Sequence, residues 1–546
     1  MNLQSSYASR VISSALWSAY ADALGFITEL RDNPKAIYAR IRSDKVSRTL
    51  PWKRRIGGRF GVDVLLLRGC YSDDTQLRLA TCRAIRSDSS FNVEAFAKME
   101  LPVWTSYALG AGRGTKAAAT SLAREGVTWF SNFYESDKSL YFEGGGNGAA
   151  MRIQPHVWAA RNNGIFDQFA GAVVKNAICT HGHIRGILGA VFHAMCLQHA
   201  RQFNAIPTKQ VWRDIVEQLS KIADVVESDT DLRSFWLPVW EQRSSIKFRE
   251  SCTLTQKELL QEISLLEAVT SSHSPEDTYR AGLQTIGALE ERERGSGTKT
   301  ALLAAFLADL FRKDGTKQAL LCGANALSSD TDTIASMAGA IMGLVHADPP
   351  DDEVLDSEYI RAEAKRLAAI ASAEPAQTFD YPNLLTWKPP RTQQDSVVAG
   401  DKGLEVLVLG RVVEEGAKFE VRTNDSSLWQ WLKLESGQTV LAKRRKKPFK
   451  IRDYQQRFIP PKVVGAGDAE VKPQFALDEV SRKQDFHRMP TVHELTKQAI
   501  DGNFRPEIIG EHILLLSSLP DGIERTVAYA AIIAKARLAR AKTPRS

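Results

Sequence analysis

The feature that most constrains the fold is a helical pattern of hydrophobic residues that continues from residue 3 to about residue 373. Ala, Leu, Ile and aromatic residues recur there at steps of three and four, the spacing that places side chains on one face of an α-helix. The clearest predicted helices span residues 11–25, 75–86, 166–180, 185–201, 209–226, 254–269, 275–289 and 298–312. Only residues 63–70, "DVLLLRGC", resemble a strand. The pattern predicts a mainly α protein whose residues 1–375 form an all-helical domain.

The pattern changes after residue 375. Residues 376–400 contain Pro382, Pro389, Pro390 and the polar run "RTQQDS", which predicts a linker. The short runs "LEVLVLGRVV", "AKFEVRT", "WQWLKL" and "QTVLAKR" follow, separated by turn residues, and they predict a small β-rich basic domain at residues 401–480. A helical region is predicted at residues 481–546.

Length and charge agree with this division. At 546 residues the chain is too long for one ordinary domain, and its 43% hydrophobic and 25% charged residues are typical of globular proteins. Residues 401–546 hold 26 Lys and Arg against 19 Asp and Glu, whereas residues 1–400 hold 45 of each kind. The whole positive excess therefore lies in the last quarter of the chain.

The sequence predicts a cytoplasmic protein without a membrane partner. Ser13, Ser14, Ser18 and Asp22 interrupt the first apolar stretch, so no signal peptide is expected. The apolar run at 334–347 is shorter than the roughly 20 residues that span a bilayer, so no transmembrane segment is expected. Six cysteines lie far apart without a C-x-x-C pair, which argues against a zinc cluster or a dense disulfide framework.

Two acidic motifs, each at a predicted helix start, carry the candidate chemistry. They are Ser72-Asp73-Asp74-Thr75 and Asp330-Thr331-Asp332-Thr333. Taken singly, each motif is typical of helix capping, and Asp73 with Gln76 fits a capping box. If the motifs meet, their four carboxylates would repel one another unless a divalent cation bound them, and oxygen ligands favour magnesium or manganese over zinc. Spacing alone leaves open whether they meet.

Five motifs in a fixed order resemble those of the ADP-ribosylglycohydrolase family, which includes the dinitrogenase reductase-activating glycohydrolase. They run through most of residues 8–348: "ALWSAYADALGFITE", "YSDDTQLRLA", "GGGNGAAMRIQPHVW", "THGHIRGILGAVFHA" and "SSDTDTIASMAGAIMG". The resemblance implies that the two acidic motifs share one site in an all-helical fold.

The resemblance also implies roles at matching positions. The implied ligands of two Mg²⁺ ions, with Mn²⁺ as an alternative, are Ser72, Asp73, Asp74, Asp330, Asp332 and Thr333. Glu29, Asp73 and Asp330 would be catalytic, with Glu29 touching the metal site and steering the reacting group. The implied contacts to ADP-ribose are Gly146, Asn147, Gly148, Ala149, Met151 and His181. Glycines in that loop would allow close approach of the backbone to the diphosphate.

Three positions depart from the family pattern. Ser72 replaces the usual threonine but keeps a hydroxyl group, and Ala21 stands where a glycine is common. Ser328 and Ser329 replace the glycine pair before the second acidic motif. No departure removes a ligand oxygen, but the two serines could restrict how closely the chain approaches a ligand.

Two further patterns have alternative interpretations. The glycines of "GAGRGT", residues 110–115, could contact phosphate, but such clusters are more often turns between helices, and the Walker spacing is missing. The basic run 443–447, with Phe449, Lys450 and Arg452 after it, could follow a nucleic-acid backbone, with Trp429 and Trp431 as stacking surfaces. A solvated loop explains the same run equally well.

The predicted function is metal-dependent hydrolysis of the glycosidic bond between ADP-ribose and a modified protein or nucleic acid, recruited by the basic C-terminal region. One alternative keeps the site and assigns a small ADP-ribosylated metabolite or nucleotide signal as substrate. Another is an inactive ADP-ribose-binding scaffold. Every implied ligand position keeps an oxygen-bearing side chain, which favours an enzyme.

Overall fold

The structure is a computed structural model and describes residues 6–58, 61–136, 139–161, 166–269, 274–384, 386–420, 426–452, 490–519 and 522–542. Met1–Phe379 with Leu384–Gln456 forms one compact unit, and Asp380–Asn383 with Arg457–Ser546 forms a second.

The first unit is mainly helical, as the sequence predicts. Its α-helices are α1 (Tyr7–Thr28), α2 (Pro34–Ile41), α3 (Asp73–Ala84), α4 (Val93–Ala95), α5 (Leu101–Trp104), α6 (Arg113–Leu122), α7 (Gln154–Trp158), α8 (Phe166–Ile178), α9 (Ile184–Phe203), α10 (Lys209–Gln218), α11 (Ile222–Ser228), α12 (Leu237–Ser244), α13 (Phe248–Ala268), α14 (Pro275–Thr285), α15 (Gly297–Leu310), α16 (Thr316–Ala324), α17 (Thr331–Val345) and α18 (Ser357–Ala371). The helix predicted at 209–226 is two helices, because a 3₁₀ turn at Leu219–Lys221 separates α10 from α11.

Helices α1 and α17 form the centre of this unit. Both are hydrophobic around most of their circumference and buried along most of their length, as expected of core helices. Glycines bring the two backbones close together: a Cβ on Gly25 would lie 2.3 Å from the Cα of Asp332, and one on Gly343 would lie 2.6 Å from the Cα of Ser14. This packing fixes the end of α1 against the start of α17.

Helix α1 is also the one described helix that is long and apolar enough to cross a membrane by length and composition. Within the structure, 94% of its apolar window is buried. A buried core helix passes the same test, and α1 lies in the core of this unit.

The strands of the described residues form three sheets. The two small ones are the antiparallel pairs β1 (Trp52–Ile56) with β2 (Val62–Leu66) and β3 (Glu135–Ser136) with β4 (Ser139–Leu140). Strand β2 overlaps the predicted strand at 63–70, but its partner β1 was not predicted, because "WKRRI" is short and rich in charge. The largest sheet is antiparallel, in the order β5 (Val397–Gly400), β6 (Gly403–Val406), β7 (Gly410–Glu420), β8 (Ser427–Leu434), β9 (Thr439–Arg445).

The first strand of this five-stranded sheet also pairs with the segment that follows the last strand. The Ala399 amide of β5 donates to the Phe449 carbonyl, and the Ile451 amide donates to the Ala399 carbonyl. The sheet therefore curls until its two ends meet. It belongs to the same compact unit as the helices and contacts segments that connect them. The Trp431 indole donates to the Leu65 carbonyl at 3.1 Å, and the Lys443 amide donates to the Ser106 carbonyl at 2.8 Å.

The predicted domain boundaries stay predictions. Within the predicted linker, the Trp387 indole is buried and donates to the Lys98 carbonyl at 2.9 Å. The boundary at residue 480 lies outside the described residues. The second unit contains the helices α19 (Val492–Asp501), α20 (Pro506–Ser517) and α21 (Gly522–Lys542), and α19 begins with a capping box between Thr491 and Glu494.

Candidate active site

The first acidic motif begins α3. Ser72 is the N-cap residue, and its hydroxyl accepts a hydrogen bond from the Asp74 amide at 3.3 Å. The capping box considered for Asp73 and Gln76 is not formed, because the Gln76 side chain donates to the Tyr107 carbonyl and accepts from the Trp104 indole. Asp73 and Asp74 are therefore not needed as caps, and both line a cavity of about 510 Å³.

The second motif begins α17 and meets the first. The Thr333 hydroxyl donates to Asp74 Oδ2 at 3.2 Å, although the two residues are 259 positions apart. Asp330 is the N-cap residue of α17 without a side-chain capping bond, and Asp330, Asp332 and Thr333 line the same cavity. The structure thus brings the two motifs together, as the resemblance implied.

Electrostatics at this junction favour a bound cation. Burial, and then repulsion among neighbouring carboxylates, raises the pKa of Asp73, Asp74 and Asp332 well above the ordinary value. Asp74 Oδ1 is buried and has no hydrogen-bond partner among the residues that the structure describes. A buried carboxylate oxygen in that state is costly unless it is protonated or bound by a cation, so the residues present fit a divalent metal ion.

Asp22 is a member of this cluster that sequence reasoning did not assign. Its Oδ1 accepts from the Ser72 amide at 2.8 Å, and its Oδ2 accepts from the Thr75 amide at 2.9 Å and the Thr75 hydroxyl at 2.6 Å. Carboxylate oxygens of Asp22, Asp74 and Asp332 lie within 4.8 Å of one another. The sequence shows Asp22 only as an interruption of the first apolar stretch, whereas the structure shows that its side chain is fully buried.

A buried arginine supports the same cluster. Arg78 lies one turn after Asp74 and donates to the Thr75 hydroxyl, the Gln154 amide oxygen and the Met151 carbonyl, each at 3.2 Å. Burial lowers the pKa of its guanidinium, and the charges of Asp74 and Asp22 oppose that shift. Arg78 therefore links α3 to the loop after residue 145 and partly offsets the negative charge.

Glu29 follows the last turn of α1 and lines the cavity beside the acidic motifs. Arg54 Nη1 donates to its Oε2 at 2.8 Å, and both side chains are largely buried. Burial raises the pKa of Glu29, and Arg54 opposes the shift. The structure therefore places Glu29 in the same cavity as the two acidic motifs, as the resemblance implied.

The glycine-rich loop forms another wall. Asn147 donates from its side-chain amide to Asp330 Oδ2 at 2.8 Å, and its backbone amide donates to the Gly295 carbonyl. A Cβ on Gly148 would lie 2.7 Å from the Thr115 hydroxyl, so no larger residue fits there without a shift. Gly146, Asn147, Gly148 and Met151 line the cavity, whereas Ala149 and Ser72 are fully buried behind its surface.

His181 lines the cavity and is 4% exposed. One of its ring nitrogens, Nδ1, forms a 2.7 Å hydrogen bond with the Thr180 hydroxyl. Burial, with the charge of Arg152, lowers its pKa to about 3, so the ring is neutral near pH 7. A neutral imidazole here can exchange hydrogen bonds with a ligand but carries no charge.

The "GAGRGT" segment, interpreted more readily as a turn, lines the cavity at Gly110, Gly112, Arg113, Gly114 and Thr115. Gly110 has a φ of +79°, and a Cβ there would lie 3.1 Å from Asp73 Oδ1. The backbone conformation therefore favours glycine, and a larger residue would also have to displace the Asp73 carboxylate slightly.

The basic run differs from its predicted use. Trp429 and Trp431 are each 5% exposed, so neither offers a face for base stacking. Arg444 is buried and donates to Gln430, and Arg445 pairs with Asp395 at 2.7 Å. Lys447 and Lys450 remain exposed, and between them in sequence lies Phe449, which is 54% exposed.

Comparison with known proteins gives a family match over most of the helical unit. The family model described as ADP-ribosylglycohydrolase matches residues 3–374. Among the solved structures that match is an "ADP-ribosylglycohydrolase-related protein complex", which is 18% identical with a TM-score of 0.38 and covers 67% of this chain and 99% of its own. No curated protein matches the chain.

Proposed function

Because the chain belongs to the ADP-ribosylglycohydrolase family, whose members hydrolyse bonds to ADP-ribose, we propose that it removes ADP-ribose from a modified macromolecule in a metal-dependent reaction. The observation that carries this proposal is the junction of the two acidic motifs, where the Thr333 hydroxyl donates to Asp74 Oδ2 in a cavity large enough for a nucleotide-sized ligand.

The proposed metal is a pair of Mg²⁺ ions, with Mn²⁺ as the alternative. Their proposed ligands are the oxygen atoms of Ser72, Asp73, Asp74, Asp330, Asp332 and Thr333. The unpartnered Asp74 Oδ1 and the raised pKa of Asp73 support a cation at this point. Asp22 would orient the first motif, because both its oxygens already accept hydrogen bonds from Ser72 and Thr75.

The reaction exchanges one bond for another at the anomeric carbon of the ribose. The bond from this carbon to the nitrogen or oxygen of the target breaks, and a bond to a water oxygen forms while positive charge develops on the sugar. Divalent metal ions at such a site orient ribose hydroxyls and lower the pKa of bound water. In this scheme the Glu29 carboxylate, or one of the aspartates, accepts the proton of the attacking water and passes it to the leaving nitrogen or oxygen of the target.

The remaining lining residues would hold the substrate. Asn147 fixes the Asp330 carboxylate through its 2.8 Å hydrogen bond to Oδ2. The glycines at 146 and 148 permit close approach of the backbone, which suits the diphosphate. Neutral His181 would contact the ribose or the base without adding charge.

The macromolecular target is proposed to dock on the exposed part of the basic run. Lys447, Phe449 and Lys450 are exposed, and the region from residue 401 onward carries the net positive charge of the chain. Cations beside an aromatic ring suit a nucleic acid or an acidic protein surface. We also propose a cytoplasmic location, which is supported by the six free cysteines.

Charge reversal tests the target class. Lys447→Glu with Lys450→Glu should raise KM on the order of tenfold for an ADP-ribosylated macromolecule at low salt, and should leave an ADP-ribosylated free amino acid unaffected. The matched control is Lys35→Glu with Lys365→Glu, which makes the same charge change at exposed lysines of α2 and α18. Equal kinetics of both double variants on every macromolecule would contradict the docking proposal and favour a small substrate.

A further inference from the structure

Glu29 is held by an arginine from outside the motifs that define the site. Arg54 lies on β1, and its Nη1 donates to Glu29 Oε2 at 2.8 Å. In the described part of the chain it is the only hydrogen-bond donor to that carboxylate. A second arginine holds the backbone beside it, since Arg40 Nη1 donates to the carbonyl of Ile27. The side chains of Arg54 and Glu29 are 19% and 13% exposed, so their attraction is only partly screened by solvent.

The arginine is itself fixed by aromatic packing. Its guanidinium carbon lies 4.3 Å from the ring centroid of Phe26, on α1, and 5.8 Å from that of Trp52. The two rings meet edge to face at 5.3 Å. Glu29 needs such support, because it follows the last helical residue of α1 and the nearby charge of Asp330 disfavours its ionised form.

The hairpin that carries Arg54 depends on the five-stranded sheet. A two-stranded hairpin is marginally stable by itself in water. Here the buried indole of Trp431 on β8 donates to the carbonyl of Leu65, which pairs with Lys53, the residue before Arg54. Gly57 in the hairpin turn also lies beside Trp429, with 3.7 Å between the position of a Cβ and the indole nitrogen. A chain of contacts therefore runs from the sheet through the hairpin to Glu29.

We propose that Arg54 is a positioning residue for Glu29, and that the five-stranded sheet supports the active site by holding the hairpin that carries Arg54. The inference rests on the proposed catalytic role of Glu29 and adds to it a role for the sheet that is separate from docking of the target.

A double-mutant cycle tests whether Arg54 positions Glu29. Arg54→Met keeps the length and the packing over Phe26 but removes the charge, and it should lower kcat about 10- to 100-fold, as expected for a displaced reacting group. The Kd for ADP-ribose in the presence of Mg²⁺ should stay within about twofold of wild type, because binding energy that comes from the rest of the cavity is kept. Arg54→Lys should recover part of the loss in kcat. In the Glu29→Gln background, Arg54→Met should cause no further loss, because it acts through Glu29.

Thermal unfolding gives a readout that needs no turnover. It is measured for wild type, Arg54→Met, Glu29→Gln and the double variant. Arg54→Met should lower Tm in the wild-type background and lower it much less with Glu29→Gln. If wild type releases no ADP-ribose from any substrate, the proposed function fails, while this cycle still measures whether Arg54 and Glu29 are coupled. Additive changes in Tm, or multiplicative losses of kcat, would overturn the positioning role.

A separate pair of variants tests whether the five-stranded sheet supports the hairpin. Trp431→Phe removes the hydrogen bond to Leu65 but keeps an aromatic ring, and should lower kcat in the same direction as Arg54→Met with Kd for ADP-ribose unchanged. Trp387→Phe removes an equivalent indole hydrogen bond, to the Lys98 carbonyl outside the hairpin, and should keep kcat near wild type. Equal kcat for the two variants would exclude support through Trp431.

Discussion

The close packing of α1 on α17 makes a sharp prediction for Gly25→Ala. A Cβ on Gly25 would lie 2.3 Å from the Cα of Asp332, whereas ordinary contact begins at 3.4 Å, so the two backbones must separate by about 1 Å. Overpacking of this kind costs about 1–3 kcal/mol, and the better helix propensity of Ala returns about 1 kcal/mol. The net loss in the free energy of unfolding should therefore not exceed about 2 kcal/mol.

The effect on activity should be much larger than the effect on stability. A displacement of about 1 Å at a reacting group can reduce turnover about 100-fold, and the residue displaced here is Asp332 itself. Gly343→Ala is the matched control, because its Cβ would meet the Cα of Ser14 at 2.6 Å at the far end of the same helix pair. Gly343 is eleven residues from Asp332, which is about 16 Å along the helix.

The assay is release of ADP-ribose with Mg²⁺ together with urea unfolding of the same preparations. We expect similar losses in the free energy of unfolding for the two variants. We expect kcat to fall about 100-fold for Gly25→Ala but only a few-fold for Gly343→Ala. Wild-type turnover by Gly25→Ala, or equal losses of kcat in both variants, would refute the argument that this glycine sets the position of Asp332.

Three further predictions follow from the site. Ser328 has a φ of +72°, so Ser328→Gly should raise the free energy of unfolding by about 0.5–1 kcal/mol in urea titrations, and a decrease would contradict the strain argument. Asp22→Asn turns a hydrogen-bond acceptor into a donor facing Ser72 or Thr75, so Mn²⁺ affinity measured by paramagnetic resonance should fall at least tenfold, and unchanged affinity would show that Asp22 does not orient the motif. Because burial and repulsion raise the pKa of the clustered aspartates, metal-free protein binds more protons than its unfolded chain, and its stability falls as pH rises through the raised pKa values. Bound Mg²⁺ offsets the repulsion among the ionised aspartates. The difference in Tm between protein with Mg²⁺ and protein with chelator should therefore grow from pH 5.5 to 8. A constant difference would argue against metal binding at this cluster.

The helices were predictable from sequence because their signal is local. The predicted helix at 185–201 corresponds to α9, Ile184–Phe203, and the break after residue 373 marks the end of α18. Hydrophobic spacing reports which face of a segment is buried, which is all that is needed to recognise such elements.

The assembly of the site was not predictable from spacing. The hydrogen bond between Thr333 and Asp74 joins residues 259 positions apart, and only the resemblance of five ordered motifs suggested that they meet. Asp22 could not be assigned from sequence, because a single acidic residue in a mainly apolar helix has the same pattern whether its side chain is exposed or is a buried hydrogen-bond acceptor. Arg54 could not be assigned either, because its position depends on a hairpin whose first strand, "WKRRI", lacks a clear alternation of apolar and polar residues.

Deletion of residues 401–546 is a poor test of substrate recruitment, because it would remove the sheet that contacts the hairpin and the loop at Ser106. Loss of activity after that deletion would therefore not distinguish recruitment of a macromolecule from collapse of the active site. The paired charge reversals at Lys447 and Lys450 avoid this difficulty, because both side chains are exposed.

Release of free ADP-ribose from arginine-linked, serine-linked and nucleic-acid-linked substrates shows directly whether the two acidic motifs form a metal-dependent hydrolase. The assay compares wild type with Asp330→Ala combined with Asp332→Ala, each with Mg²⁺ and with chelator. The account predicts metal-dependent release by wild type from at least one substrate class, and loss of release in the folded double variant. Full activity of the double variant, or equal release by wild type with chelator, would contradict a metal-dependent hydrolase built on these two motifs.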